Sequence, residues 1–197
     1  PADDPRYASG AHFDELGAQF AVATSALRLG LSNVAVVTSA TSGEFARVSY
    51  PSMARAGIPS DRHNLHHQLG TAAAQDLIHA VSARIVEEIA AMASAFEATP
   101  DGDGATLLDN TVIVYLGDNG ETHHSTASEF PVLTVGGENL GFVGGRTHFY
   151  SPLNTPEHRR LSNLWMSLSA AAGFERSTFG GEDFTRFVGG GLPGLLE

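Results

Sequence analysis

The stretch TVIVYLGDNGETHH, Thr111 to His124, decides how this chain is read. Thr111 to Leu116 is a short run of apolar and β-branched residues, the pattern of a strand covered on both faces. Gly117 ends it. A carboxylate (Asp118), an amide (Asn119), a second glycine, a second carboxylate (Glu121) and, after Thr122, His123 and His124 follow. In an α/β sheet, side chains just beyond the carboxyl end of a strand face the crevice where ligands bind. Gly120 permits the sharp turn that would bring its neighbours inward. Asp-Asn-Gly is also an ordinary turn sequence, so the metal reading needs support from elsewhere in the chain.

Working outward, helix and strand patterns alternate. His12 to Leu29 carries Phe13, Leu16, Phe20 and Leu27 at roughly helical spacing and stops at Gly30. Asn33 to Thr38 (NVAVVT) reads as a buried strand of a parallel sheet. Thr71 to Phe96 is the clearest helix, with Leu77, Val81, Ile85, Ile89, Met92 and Phe96 in one stripe. Pro100 to Gly104 (PDGDG) is a turn. Thr111–Leu116 and Pro131–Val135 are strands, the latter closed by Gly136-Gly137. Gly141 to Tyr150 is a hairpin or an irregular loop. Pro156 to Ala172 is a helix with Leu161, Leu164, Trp165 and Leu168 inward, ended by Gly173. The expected architecture is α/β, a layered, mainly parallel sheet flanked by helices. It forms a single domain, with residues 174–197 as a Gly-rich tail loosely packed on the surface.

Composition narrows the function classes. The chain has 197 residues, 42% of them hydrophobic, enough for a real core. Its longest apolar runs fall well short of the roughly 20 residues a membrane span needs. The 11 basic residues are all arginine, and the net charge is −11. Such a surface disfavours nucleic acid and anionic membranes and suits metal cations. There is no cysteine, so any metal would rest on His, Asp, Glu or Asn. That composition fits an exported protein. A start at Pro1 without Met suggests a fragment or a processed chain.

A second ligand-rich stretch is DRHNLHHQ, Asp61 to Gln68, with His63, His66 and His67. His63 and His67 lie four apart and share a face if the segment is helical. Imidazole suits zinc, whereas carboxylate and amide oxygens suit calcium or magnesium. His12, His79 and His158 read as ordinary helix residues. His148 lies in GGRTHFY, two residues after Arg146, and stands between these cases. Glu44 and Glu121 are further candidate bases or ligands. No G-x-S-x-G elbow or P-loop is present. GGGLPG, Gly189 to Gly194, matches G-x-G-x-x-G in form, but lacks the flanking strand and helix and contains Pro193. PDGDG lacks the remainder of a calcium loop.

In order, TPDGDGATLLDNTVIVYLGDNGETHH (Thr99 to His124), PVLTVGG, GGRTHFY and RRLSNLWMSL resemble the family of exported bacterial proteins called domain of unknown function 1552. That family carries a "GDGTLLDN" turn, a strand ending in a polar Asp/Gly/His loop, "LP-LLAGG", "GGRH" and an "LSNLW" helix. DRHNLHHQ resembles its "HH-LSHH". The matched blocks run from about Leu27 to Gly173. The family in turn resembles the alkaline phosphatase and sulfatase superfamily. The resemblance implies that Asp118 and Asn119 are metal ligands, that His63 and His67 belong to a mid-chain histidine region, and that His123 or His124 adds an imidazole. His148 carries over less directly, because Thr147 interrupts the "GGRH" pattern. Superfamily enzymes place the nucleophile after their first strand, so this chain would be the C-terminal portion of a longer protein.

Two functions are expected from this. One is a metal-dependent hydrolase of phosphate or sulfate esters, or its C-terminal part. It would use a divalent metal, zinc or calcium, and Arg146 would clamp the anionic group. The other is a non-catalytic exported binding or structural protein that keeps the fold. Expected partners are a small anionic ester and a partner chain or N-terminal half that completes the sheet. No nucleic acid and no membrane span are expected.

Overall fold

The computed structural model describes residues 3–9, 11–38, 65, 70–117, 130–152, 154–180 and 188–197. The fold is mixed helix and strand. It divides into two compact units, Pro1–Thr99 and Pro100–Glu197, and the division falls at the PDGDG turn.

The elements described in the first unit are helical. A short 3-10 turn, Pro5–Ala8, is capped by Asp4. The Asp4 carboxylate accepts from the Arg6 backbone N–H at 3.0 Å and from its Nη2 at 2.6 Å. The Arg6 guanidinium, then its backbone N–H, hold the Asp4 carboxyl down to about 2. Helix α1 is His12–Arg28, with Asp14 and Glu15 in its first turn and Arg28 in its last, charges placed to suit the helix dipole. Helix α2 is Ala72–Glu97. The Thr71 hydroxyl caps it by accepting from the Ala74 N–H at 3.3 Å. The stripe expected from the sequence is its buried face: Leu77, Val81, Ile85, Ile89, Met92 and Phe96 are all buried. Each such side chain contributes about 1.5–3 kcal/mol when fully covered. Leu65 is also fully buried, against Ala74 and Leu77. Arg84 lies over the Phe13 ring at 5.8 Å, joining the two helices.

Asn33–Thr38 departs from expectation. Residues 33–38 form no strand, and Val34 and Val36 are 74% and 83% exposed. Valine-rich composition makes a strand favourable only where a neighbouring edge accepts its N–H and C=O groups. Among the described residues no strand pairs with this segment.

The second unit holds both described strands, β1 (Val112–Leu116) and β2 (Val132–Gly136). They pair antiparallel, from Val112↔Gly136 to Leu116↔Val132, where the sequence suggests parallel neighbours. A parallel neighbour needs a long crossover. Here Leu116 faces Val132 in an antiparallel register. A 3-10 turn, Glu138–Leu140, follows β2, and helix α3 spans Leu161–Ala171. Gly141–Tyr150 takes the irregular course of the two expected.

The start of α3 is later than the expected Pro156. Residues 154–158 form a turn in which the His158 N–H donates to the Thr155 carbonyl at 3.2 Å. Helix formation then waits for Asn163, whose Oδ1 accepts from the Arg160 N–H at 2.7 Å. The core of this unit is Phe142, Leu164 and Leu195, with Val112, Leu140, Leu161, Leu168 and Leu192 packed around it.

The end of the chain is better packed than its glycine content suggests. Leu195 is 7% exposed, and Leu196 forms an antiparallel bridge with Phe142. The Glu197 N–H donates to the Gly141 carbonyl at 2.9 Å. Three leucines in GLPGLLE supply apolar anchorage that a reading weighted on glycine overlooks. Residues 174–180 are exposed, although Phe179 stacks on Trp165 at 6.0 Å. Among the described residues no helix is long and apolar enough to cross a membrane.

Candidate functional site

Strand β1 carries the chain to Leu116 and Gly117, immediately before the proposed ligands. Asp118, Asn119, Glu121, His123 and His124 lie outside the described residues, as do Glu44, Asp61, His63, His66 and His67. Among the described residues no group of three or more His, Asp or Glu side chains is placed to hold a metal. The candidates that can be located are Arg146 and His148.

Arg146 is engaged. Its Nη1 donates to Glu197 Oε1 at 3.1 Å, and both side chains are more than half exposed. An exposed pair of this kind is worth about 0–1 kcal/mol. An anion approaching Arg146 therefore meets a weak internal competitor.

His148 is half-buried. Its ring stacks on Tyr150, with centroids 6.3 Å apart and planes 12° from parallel. Its Nε2 is buried without a hydrogen-bond partner. The ring edge lies beside Gly194, where an added Cβ would stand 3.4 Å from Cε1. Tyr150 donates its hydroxyl to the Pro193 carbonyl at 3.3 Å. Burial raises the Tyr150 phenol, against a smaller lowering from Arg159. One orphaned ring nitrogen offers a single donor, fewer than a protein metal site supplies. An unpartnered buried polar atom costs about 1–3 kcal/mol. His148→Phe keeps the ring stack and removes that atom. It is expected to hold or raise stability by about 1 kcal/mol, read from the denaturant midpoint. A loss of stability larger than that would mean the ring nitrogen has a partner in solution.

The residues that sequence reasoning missed are polar ones on α3. Ser162, Asn163 and Ser167 are buried. Asn163 is fully buried, and besides accepting from Arg160 it donates Nδ2 to the Val188 carbonyl at 2.9 Å and to the Gly190 carbonyl at 2.7 Å. Ser167 Oγ accepts from the Leu192 N–H at 2.8 Å. Arg159 adds a contact from Nη1 to the Gly189 carbonyl at 3.2 Å. The GGGLPG segment is thus docked along the start of α3, and its glycines serve that docking. A Cβ on Gly191 would stand 2.6 Å from Ser167 Oγ. The available signal was the i, i+4 pair Asn163 and Ser167 on a mostly apolar helix.

The histidines read as ordinary fall as follows. His79 is exposed on α2, and His12 begins α1. His158 lies before α3, and its Nδ1 donates to the Ser151 carbonyl at 3.0 Å. The turn before β1 is a polar network. Asp109 Oδ2 accepts from the Thr106 N–H at 2.7 Å and its hydroxyl at 2.9 Å. These bonds, backbone first, lower the Asp109 carboxyl. Asn110 donates to Asp101 at 2.8 Å and accepts from Asn139 at 2.9 Å.

No protein-family model, curated protein or solved structure matches the chain.

Proposed function

We propose that this chain carries the metal-binding C-terminal portion of an exported phosphate- or sulfate-ester hydrolase of the alkaline phosphatase and sulfatase type, allied to the domain of unknown function 1552 proteins. The observation that supports this reading is the course of β1, which ends at Leu116 and leads directly into Gly117-Asp118-Asn119-Gly120. In this reading Asp118 and Asn119, with His63, His67 and His123 or His124, hold zinc or calcium. The bound metal would neutralise ester oxygens. Arg146 would hold the anionic group by paired N–H donation. The finer fold belongs to the same proposal: a layered, mainly parallel sheet to which β1 and β2 contribute, completed by further strands from a partner chain or an N-terminal half. A sheet of two strands is marginal alone, and Val132 and Leu133, adjacent on β2, are 37% and 39% exposed. The test is metal content of the purified chain beside Asp118→Ala, followed by assay of aryl phosphate and aryl sulfate esters. Metal bound by the wild type and lost in the variant supports the reading; equal content in both overturns it.

A second reading is a non-catalytic binding or structural protein that keeps the fold. It is favoured by the engagement of Arg146 with Glu197. Bound metal without ester hydrolysis, even when the completing partner is supplied, would select it.

A further inference from the structure

We infer that Glu197 is an internal anion that occupies Arg146 and is displaced when a phosphate- or sulfate-type ligand binds. The inference rests on the proposed role of Arg146 and adds a control to it. Glu197 is held by the backbone around it. Its N–H donates to the Gly141 carbonyl at 2.9 Å, Leu196 bridges to Phe142, and Leu195 is buried in the core. The side chain can leave Arg146 without undocking the segment, because this anchorage does not use the carboxylate.

Arg146 also keeps donors to spare. The Arg146 side chain is 55% exposed, and Glu197 takes up one of its Nη groups at 3.1 Å. A tetrahedral dianion offers Arg146 two oxygens in the fork geometry that the single Glu197 contact does not use. Both ligands compete for the same cation. The geometry therefore makes Glu197 a weak competitor that raises the apparent Kd for anion binding by a constant factor.

The experiment is calorimetric titration of inorganic phosphate into the full chain, as wild type, Glu197→Gln, Arg146→Gln and the double variant. Glu197→Gln is expected to tighten phosphate binding roughly two- to fivefold, the range an exposed ion pair allows. It should leave the thermal midpoint unchanged, since Leu195 keeps the segment docked. In the Arg146→Gln background the gain should vanish. Unchanged affinity in Glu197→Gln, a gain that survives without Arg146, or no phosphate binding by either chain overturns the inference. Its failure is separable from that of the hydrolase reading. Metal lost in Asp118→Ala with no effect of Glu197→Gln leaves that reading standing and removes this one. Tightened phosphate binding in a chain that holds no metal does the reverse.

Discussion

Gly136→Ala is expected to destabilise the second unit by about 3 kcal/mol or more. Gly136 ends β2 at φ +79°, a conformation that costs an L-residue on the order of 1 kcal/mol. Its surroundings raise that cost. A Cβ there would stand 2.5 Å from the Thr111 carbonyl oxygen, 2.7 Å from that of Leu108 and 2.6 Å from Leu108 Cδ1. The Leu108 carbonyl cannot retreat without loss, because it accepts the Gly137 N–H at 2.9 Å. Relief of the clash must separate β2 from the turn that starts β1. Gly102 is the control, with φ +80° and nothing within 4 Å of an added Cβ. Gly102→Ala should cost only the conformational part, about 1 kcal/mol. Denaturant midpoints of the two variants, with exchange of the β1 amides, measure the difference. Equal losses would mean that the close approach at Gly136 relaxes in solution.

Asn163→Ala is expected to cost about 2–4 kcal/mol and to undock residues 188–192. The fully buried amide makes three hydrogen bonds, at 2.7, 2.9 and 2.7 Å. Its removal leaves the Val188 and Gly190 carbonyls without that donor and the Arg160 N–H without that acceptor, beside the space vacated by a fully buried side chain. Two consequences separate this from a simple cavity. Proteolysis within the Gly-rich segment should accelerate, and the N-terminal turn of α3 should lose exchange protection. Asn163→Asp keeps the acceptor for Arg160 but removes both donated bonds. It should rescue the helix turn and not the docking. If Asn163→Ala leaves the C-terminal segment protected, the leucines alone hold it.

These two residues mark how far the sequence could be read. The stripe Leu77 to Phe96 is visible because a regular period of burial is written directly into residue order, and α2 buries that stripe. β1 and β2 are visible as apolar runs, but no run of side chains encodes the direction in which they pair. Asn33–Thr38 has the composition of a strand and lacks a partner edge among the described residues. Asn163 reads as a polar residue on a helix, and its role emerges only when Val188 and Gly190 are brought beside it. Glycines 189 to 191 suggest looseness, whereas Gly191 is needed for close approach to Ser167. At the candidate site, Arg146 and His148 were recognised as chemically able, but their occupation by Glu197 and Tyr150 is a fact of packing. Asp118, Asn119, His63, His67, His123 and His124 lie outside the described residues, so their grouping is argued from the sequence.

The central claim is that the chain after β1 delivers ligands to a divalent metal. Elemental analysis of the purified chain by mass spectrometry, with wild type beside Asp118→Ala, tests it most directly. The account predicts about one or two equivalents of zinc or calcium in the wild type, lost in the variant. Equal metal in both chains, or none in either after dialysis against zinc and calcium, would contradict it. His63, His67, His123 and His124 would then be residues of polar loops.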